Sequence, residues 1–127
     1  MSPDISTLLP RDKSDTKKAE AIVALGYPAV ELILAELVEW MQDVNWPVAQ
    51  VLQPFLASVG TPLAPHVRRV LSATDEVWKH WILYCVVRES PELAASLSTE
   101  LRRLATLPTP GEIQEDIDAL AREILGL

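Results

Sequence analysis

Proline and glycine divide this chain into short segments, and within each segment the apolar residues recur with the period of an α-helix. Glycine can end one helix and proline can begin the next, as at 26–28 and 60–62. The sequence contains no strand-like alternation of comparable length. In the second segment, one apolar stripe contains Val30, Ile33, Leu34, Leu37 and Met41. The chain is therefore predicted to be all-α.

The same punctuation predicts the number and order of the helices. Aligning Gly26 with Gly60 also aligns Pro28 with Pro62, a spacing of 34 residues that fits a repeated helix pair. Because one pair cannot bury its own apolar face, we expect stacked antiparallel pairs that form a short right-handed α-solenoid. The predicted pairs are 15–25 with 28–43, 47–59 with 62–72, and 75–89 with 91–106, followed by a capping helix at 111–126.

Length and composition predict one domain over residues 1–127, with an extended N-terminal segment at 1–14. A single cysteine, Cys85, excludes an internal disulfide and a zinc site built from several cysteines. The sequence has no export signal at its start and no apolar window long enough to span a bilayer, so a cytoplasmic location is expected.

Several local features carry predictions of their own. The apolar run at 81–87 covers nearly the whole circumference of a helix, which predicts a buried central helix with Trp78 and Trp81 in the core. Thr109 is expected to form a capping box with Glu112. The other predicted helix caps are Ser90 before the sixth helix, and Asp43 or Asn45 before the third.

Negative charge is concentrated in one part of the sequence. The chain has 18 carboxylates and 11 Lys or Arg residues, a formal charge of -7, yet no Lys or Arg lies between Lys18 and Arg68. Two tryptophans flank the turn that follows the acidic second helix. A solvated face with tryptophans that support the turn is one interpretation, and a binding surface for a basic protein is the other. The candidate partner-binding residues are Glu36, Glu39, Asp43, Trp40, Trp46 and Asn45.

Catalytic and cofactor chemistry has little support in the sequence. His66 and His80 lie on different predicted helices without a zinc-binding pattern, and Cys85 is expected to be a buried thiol that is not activated. No catalytic residue, metal ligand or cofactor is predicted, and we expect a protein that is not an enzyme. An alternative is an enzyme or small-ligand site in a concave groove, assembled from Trp46, Asp43, Asn45, His80 or Arg88.

Binding to the nucleic-acid backbone is a third hypothesis. It would require cations from several helices to form one ridge, and the net charge of -7 opposes it. The cations concerned are Arg68, Arg69, Lys79, Arg88, Arg102, Arg103 and Arg122.

Three stretches resemble a known family. They are LLPRDK at 8–13, LGYPAV at 25–30 and WMQDVNWPVA at 40–49. They are similar to the signature of small, mostly bacterial proteins grouped as domain of unknown function 5071, and the resemblance extends to about residue 112. The resemblance implies a helical-repeat fold similar to HEAT repeats and assigns no catalytic residues.

Taken together, these features predict a cytoplasmic protein–protein interaction module that binds a basic protein through a helix-lined surface. A narrower hypothesis is an immunity-type inhibitor of a basic toxin or nuclease, because acidic proteins suit that role electrostatically.

Overall fold

The computed structural model describes residues 5–127, and every regular element in that range is helical. Short 3-10 turns occur at Ile5–Leu8, Glu31–Ile33, Trp40–Gln42 and Thr61–Leu63, and a π turn occurs at Leu83–Val87. The all-α class is therefore confirmed. The helices are α1 (Thr16–Leu25), α2 (Leu34–Glu39), α3 (Pro47–Val59), α4 (Ala64–Leu71), α5 (Glu76–Ile82), α6 (Pro91–Ser96), α7 (Ser98–Thr106), α8 (Pro110–Gln114) and α9 (Ile117–Leu125). None of these helices has the length and apolar character that crossing a bilayer requires.

Some predicted helices are continuous and others are interrupted. α1 and α3 match the predicted segments 15–25 and 47–59 closely, and α3 continues across Pro54. The predicted helix 91–106 is broken at Leu97, which separates α6 from α7. The predicted helix 111–126 is broken at Asp116, whose backbone is left-handed with φ of 57°.

The N-terminal segment is attached to the helices and is not extended throughout. Residues 1–4, which begin the predicted extended segment, lie outside the described residues. Ile5–Leu8 form a 3-10 turn, Pro10 is buried, and Leu8 and Leu9 pack against the core. The carbonyl of Lys13 accepts a hydrogen bond of 3.0 Å from the backbone N–H of Val48 at the start of α3.

Packing joins alternate segments of the chain. α1 makes its most extensive contacts with α3, and not with the predicted partner segment 28–43. α3 also packs against the π turn after α5, while α2 packs against α4. The largest interface between two helices joins α7 to α9. The core thus consists of one continuous cluster of aliphatic side chains along the chain.

The fifth segment is less completely buried than its apolar run predicts. Its π turn carries an i→i+5 hydrogen bond of 2.9 Å from the Arg88 N–H to the Leu83 carbonyl. Tyr84 is 41% exposed, and Trp81 is only half-buried. Because a π turn holds more residues than an α turn, it changes which side chains face the core. The buried positions of the run are Ile82, Leu83, Val86 and Val87.

The predicted helix caps have mixed outcomes. Thr109 and Glu112 form the expected capping box at α8. Ser90 lies at the N-cap position of α6, but its side chain makes no capping hydrogen bond. The prediction that Asp43 or Asn45 caps α3 is wrong, because Trp46 occupies that position. Asp43 Oδ1 instead accepts a hydrogen bond of 2.9 Å from the backbone N–H of Asn45, which stabilises the turn before α3.

Candidate functional site

An open groove of about 290 Å³ lies where the N-terminal segment meets α2 and the turn that follows it. The groove brings together residues from two distant parts of the sequence. It contains four of the six predicted partner-binding residues. Its lining residues are Leu9, Pro10, Glu36, Glu39, Trp40, Gln42 and Trp46.

Two tryptophans give the groove an aromatic wall. The rings of Trp40 and Trp46 meet edge to face, with centroids 5.7 Å apart and planes at 79°. Both side chains are half-buried and pack against the core, so part of each remains accessible. Edge-to-face pairs of this kind hold aromatic rings in fixed relative positions. Trp40 and Trp46 can therefore support the turn and still present accessible ring surface.

Two carboxylates on the exposed side of α2 complete the groove. Glu36 and Glu39 are both exposed and lie three residues apart, on one face of the helix. Within residues 5–127, neither carboxylate forms an ion pair, and the same is true of Glu31 on the preceding turn. Other carboxylates do pair with cations of the chain, for example Glu100 with Arg68 at 2.9 Å. The groove therefore has negative charge that no ion pair within residues 5–127 neutralises, and Arg69 lines the neighbouring cavity together with Glu39.

The two remaining candidates, Asp43 and Asn45, lie in the adjoining turn. Neither lines the groove. Asp43 is half-buried, and its carboxylate accepts the hydrogen bond from Asn45 described above. The structure therefore gives Asp43 a role in shaping the turn that carries Trp46.

A second cavity, of about 250 Å³, lies on the other side of Glu39, between α2, α4 and α5. Trp78 lines it and donates a hydrogen bond of 3.2 Å from its indole Nε1 to the Val38 carbonyl. His66 Nδ1 is buried and has no hydrogen-bond partner among the described residues. Burial lowers the pKa of His66, and the nearby charge of Arg69 lowers it further.

The residues of the alternative ligand site do not meet in one pocket. Trp46 lines the groove, whereas His80 lines a separate cleft beside Trp81 and Glu115. His80 Nδ1 lies 3.0 Å from the Glu115 carbonyl oxygen. The Arg88 guanidinium lies 3.8 Å from the centre of the Tyr84 ring.

Among the described residues, Glu112 has a fully buried carboxylate, and ion pairs surround it. Arg103 binds it with two N–H groups, at 2.7 and 2.9 Å, and Lys79 Nζ lies 2.9 Å from Oε2. The Thr109 backbone N–H donates a further hydrogen bond of 2.8 Å. These contacts, with Arg103 the main cause, lower the pKa of Glu112 to about 2. A carboxylate so strongly held in its ionised form is suited to joining helices and not to exchanging protons.

The cations that were considered for a nucleic-acid ridge are mostly engaged within the protein. Lys79 is buried against Glu112, and Arg122 pairs with Asp118 at 3.3 Å. In all, five of the seven side chains form ion pairs: Arg68, Lys79, Arg88, Arg103 and Arg122.

Metal and thiol chemistry also lack a site in the described range. Over residues 5–127, no three His, Cys, Asp or Glu side chains come together in a way that could hold a metal ion. Cys85 is half-buried, and burial raises the pKa of its thiol, as expected for a cysteine that is not activated.

Sequence reasoning missed the groove residues Leu9, Pro10 and Gln42. Leu9 and Pro10 precede the first predicted helix, so helical periodicity gave no indication of their position. In the sequence, these two residues belong to the stretch LLPRDK at 8–13, which indicated a family resemblance and not a position in the fold.

Comparison with known proteins gives a family but no activity. No curated protein matches the chain at a significant level. The model of one family, described as a domain of unknown function (DUF5071), matches residues 8–125 and so includes the groove and the Glu112 ion pairs. The match covers nearly the whole chain, which therefore belongs to the family of domain of unknown function DUF5071.

Proposed function

We propose that this protein is a non-enzymatic protein–protein interaction module that binds a basic protein partner at the groove beside α2. One observation carries the proposal: the carboxylates of Glu36 and Glu39, exposed and without an ion pair within residues 5–127, adjoin the accessible rings of Trp40 and Trp46. Tryptophan anchors are enriched at the energetic centres of interfaces, and unpaired charge of one sign favours partners of the other.

The charges of the rest of the molecule support a basic partner. Most of the considered cations are already paired, so the protein offers a nucleic-acid backbone few available positive groups. The groove carboxylates are exposed, so they remain hydrated in the free protein. Their partner therefore need not overcome an internal ion pair before it binds.

The non-enzymatic part of the proposal has separate support. The residues of the alternative site lie in different clefts, and the buried carboxylate of Glu112 is held by Arg103 and Lys79. We further propose a cytoplasmic location, which suits a chain with one cysteine and therefore no internal disulfide.

A pair of charge-reversal variants tests the proposal. The wild-type protein is used to capture partners from an extract of its host, and one purified partner is then titrated by calorimetry. The site variant is Glu36→Lys with Glu39→Lys. The control variant is Glu20→Lys with Glu92→Lys, which makes the same change in net charge at two other exposed carboxylates. Circular dichroism checks that both variants remain folded.

We expect the site variant to weaken binding at least about tenfold, which is 1.4 kcal/mol, and the control variant to weaken it by much less. Equal losses in both variants would indicate attraction by net charge alone and would contradict a site at the groove. Unchanged binding by the site variant would also contradict it.

The narrower form of the proposal is that the partner is a basic toxin or nuclease that this protein inhibits. The same acidic groove supports it, because an inhibitor gains association rate from charge complementarity. Co-expression with each neighbouring gene product of the host genome tests this form. Rescue of growth from a toxic neighbour is the expected result. A neighbourhood without a toxic product would refute the inhibitor role and leave the interaction module intact.

A further inference from the structure

We propose that the groove recognises an arginine side chain of the partner, whose guanidinium stacks on an indole ring and pairs with Glu36 and Glu39. This inference rests on the proposed function and names the chemical group that the site accepts. It depends on three properties of the groove: its size, its ring geometry and its charge.

The size of the groove suits one long side chain. Its volume of about 290 Å³ is at the lower limit of roughly 300–1,000 Å³ that is common for small-molecule sites. The groove is also open, so a side chain can enter while its backbone stays on the surface. The aliphatic groups of Leu9 and Pro10 line it as well and can contact the methylene stem of an arginine.

The ring geometry favours a planar cation. Because the planes of Trp40 and Trp46 meet at 79°, a flat group that lies parallel to one ring is nearly perpendicular to the other. A guanidinium is planar, stacks on aromatic faces and is less strongly hydrated than an ammonium group. Tryptophan is the strongest aromatic partner for a cation. Lysine carries a positive charge but no planar group, so it can pair with the carboxylates but cannot stack flat on a ring.

The charge of the groove completes the match. Glu36 and Glu39 offer four carboxylate oxygens on one helix face, and no cation within residues 5–127 occupies them. A guanidinium has five N–H donors and can pair with carboxylates through two parallel hydrogen bonds. The same group can therefore contact the aromatic wall and the acidic edge together.

Three blocked peptides provide the test, each with six residues in which glycine alternates with arginine, lysine or citrulline. Citrulline keeps the shape of arginine but has no charge. The readout is the set of four indole N–H signals in nitrogen-15 NMR spectra of the full chain. Trp40 and Trp46 report on the groove, while Trp78, whose indole N–H is bonded to the Val38 carbonyl, reports on the fold.

We expect the arginine peptide to shift the Trp40 and Trp46 signals saturably and to bind at least about threefold more tightly than the lysine peptide. The citrulline peptide should cause no saturable shift. The double variant Glu36→Gln with Glu39→Gln should weaken binding of the arginine peptide, and Glu20→Gln should not. Far-UV circular dichroism checks that each variant is folded.

The outcomes separate this inference from the proposed function. Equal binding of the lysine and arginine peptides overturns arginine recognition, while the partner titration continues to support a basic partner. Shifts confined to Trp81 overturn the groove as the arginine site. If substitution of Glu36 and Glu39 changes neither peptide binding nor partner binding, both proposals are overturned.

Discussion

Glu112 joins three helices through one side chain. Its carboxylate connects α8 to Lys79 on α5 and to Arg103 on α7. A carboxyl whose pKa falls from 4.5 to about 2 on folding contributes about 3 kcal/mol to the free energy of unfolding at neutral pH. This contribution is complete above the unfolded pKa and is lost as the pH falls from about 4.5 towards 2.

We expect Glu112→Gln to lower the free energy of unfolding at pH 7 by about 3 kcal/mol, because it leaves the buried Lys79 with the longer contact, of 3.7 Å, to Glu76. Urea unfolding at neutral and acidic pH measures the effect. The wild-type protein should lose stability in acid, and the variant should lose about 3 kcal/mol less over the same pH range. Glu20→Gln, at an exposed position on α1, is the control. If the variant lost as much stability in acid as the wild-type protein, other carboxyl groups would account for that loss.

At the scale of the element, two helix starts in the C-terminal half offer a matched comparison. Thr109 caps α8 through a hydrogen bond of 3.2 Å from the Glu112 N–H to its hydroxyl oxygen, whereas the Ser90 side chain makes no capping bond at α6. We expect Thr109→Ala to lower the free energy of unfolding by about 1 kcal/mol and Ser90→Ala to change it by less than about 0.5 kcal/mol. Thermal and urea unfolding at neutral pH measure both values. Equal losses would show that capping by Thr109 is not what distinguishes the two helix starts.

The elements also show what the sequence could predict. Apolar periodicity located the segments that contain α1 to α9, because burial of one helix face requires that period. It could not locate the breaks at Leu97 and Asp116 or the π turn, since none of them involves proline or glycine and their backbone angles depend on tertiary packing. The contact of α1 with α3 was missed for the same reason, as pairing depends on which faces meet in space.

The candidate site was predictable to the extent that it is local in sequence. Glu36, Glu39, Trp40 and Trp46 lie within eleven consecutive positions, so charge and residue type were sufficient to select them. Asp43 and Asn45 were selected on the same ground, although the turn uses them for its own hydrogen bond. Leu9 and Pro10 come from a distant segment and reach the groove only through the tertiary fold.

For the whole molecule, the uneven distribution of charge predicts a salt dependence of association. Ionic strength screens attraction between separated charges, so the association rate constant should fall as salt rises from about 0.05 to 0.5 M, with a smaller change in dissociation. Surface plasmon resonance with a purified partner measures both rates. The variant Glu36→Gln with Glu39→Gln should show a shallower salt dependence than the wild-type protein. An association rate independent of salt would contradict electrostatic attraction by this surface.

The position of Glu112 in the chain also has a consequence for folding during synthesis. Lys79 pairs with Glu76 on its own helix at the longer distance of 3.7 Å, and it emerges from the ribosome 33 residues before Glu112, whose carboxylate lies at 2.9 Å. Burial of an ammonium group without a close charge partner is costly, so we expect α5 to remain undocked until α8 has been made. A ribosome-bound chain that ends before Glu112 should therefore be cleaved by protease in the α5 region, and a chain that extends past α9 should be protected there. Protection of α5 in the shorter chain would contradict this order of folding.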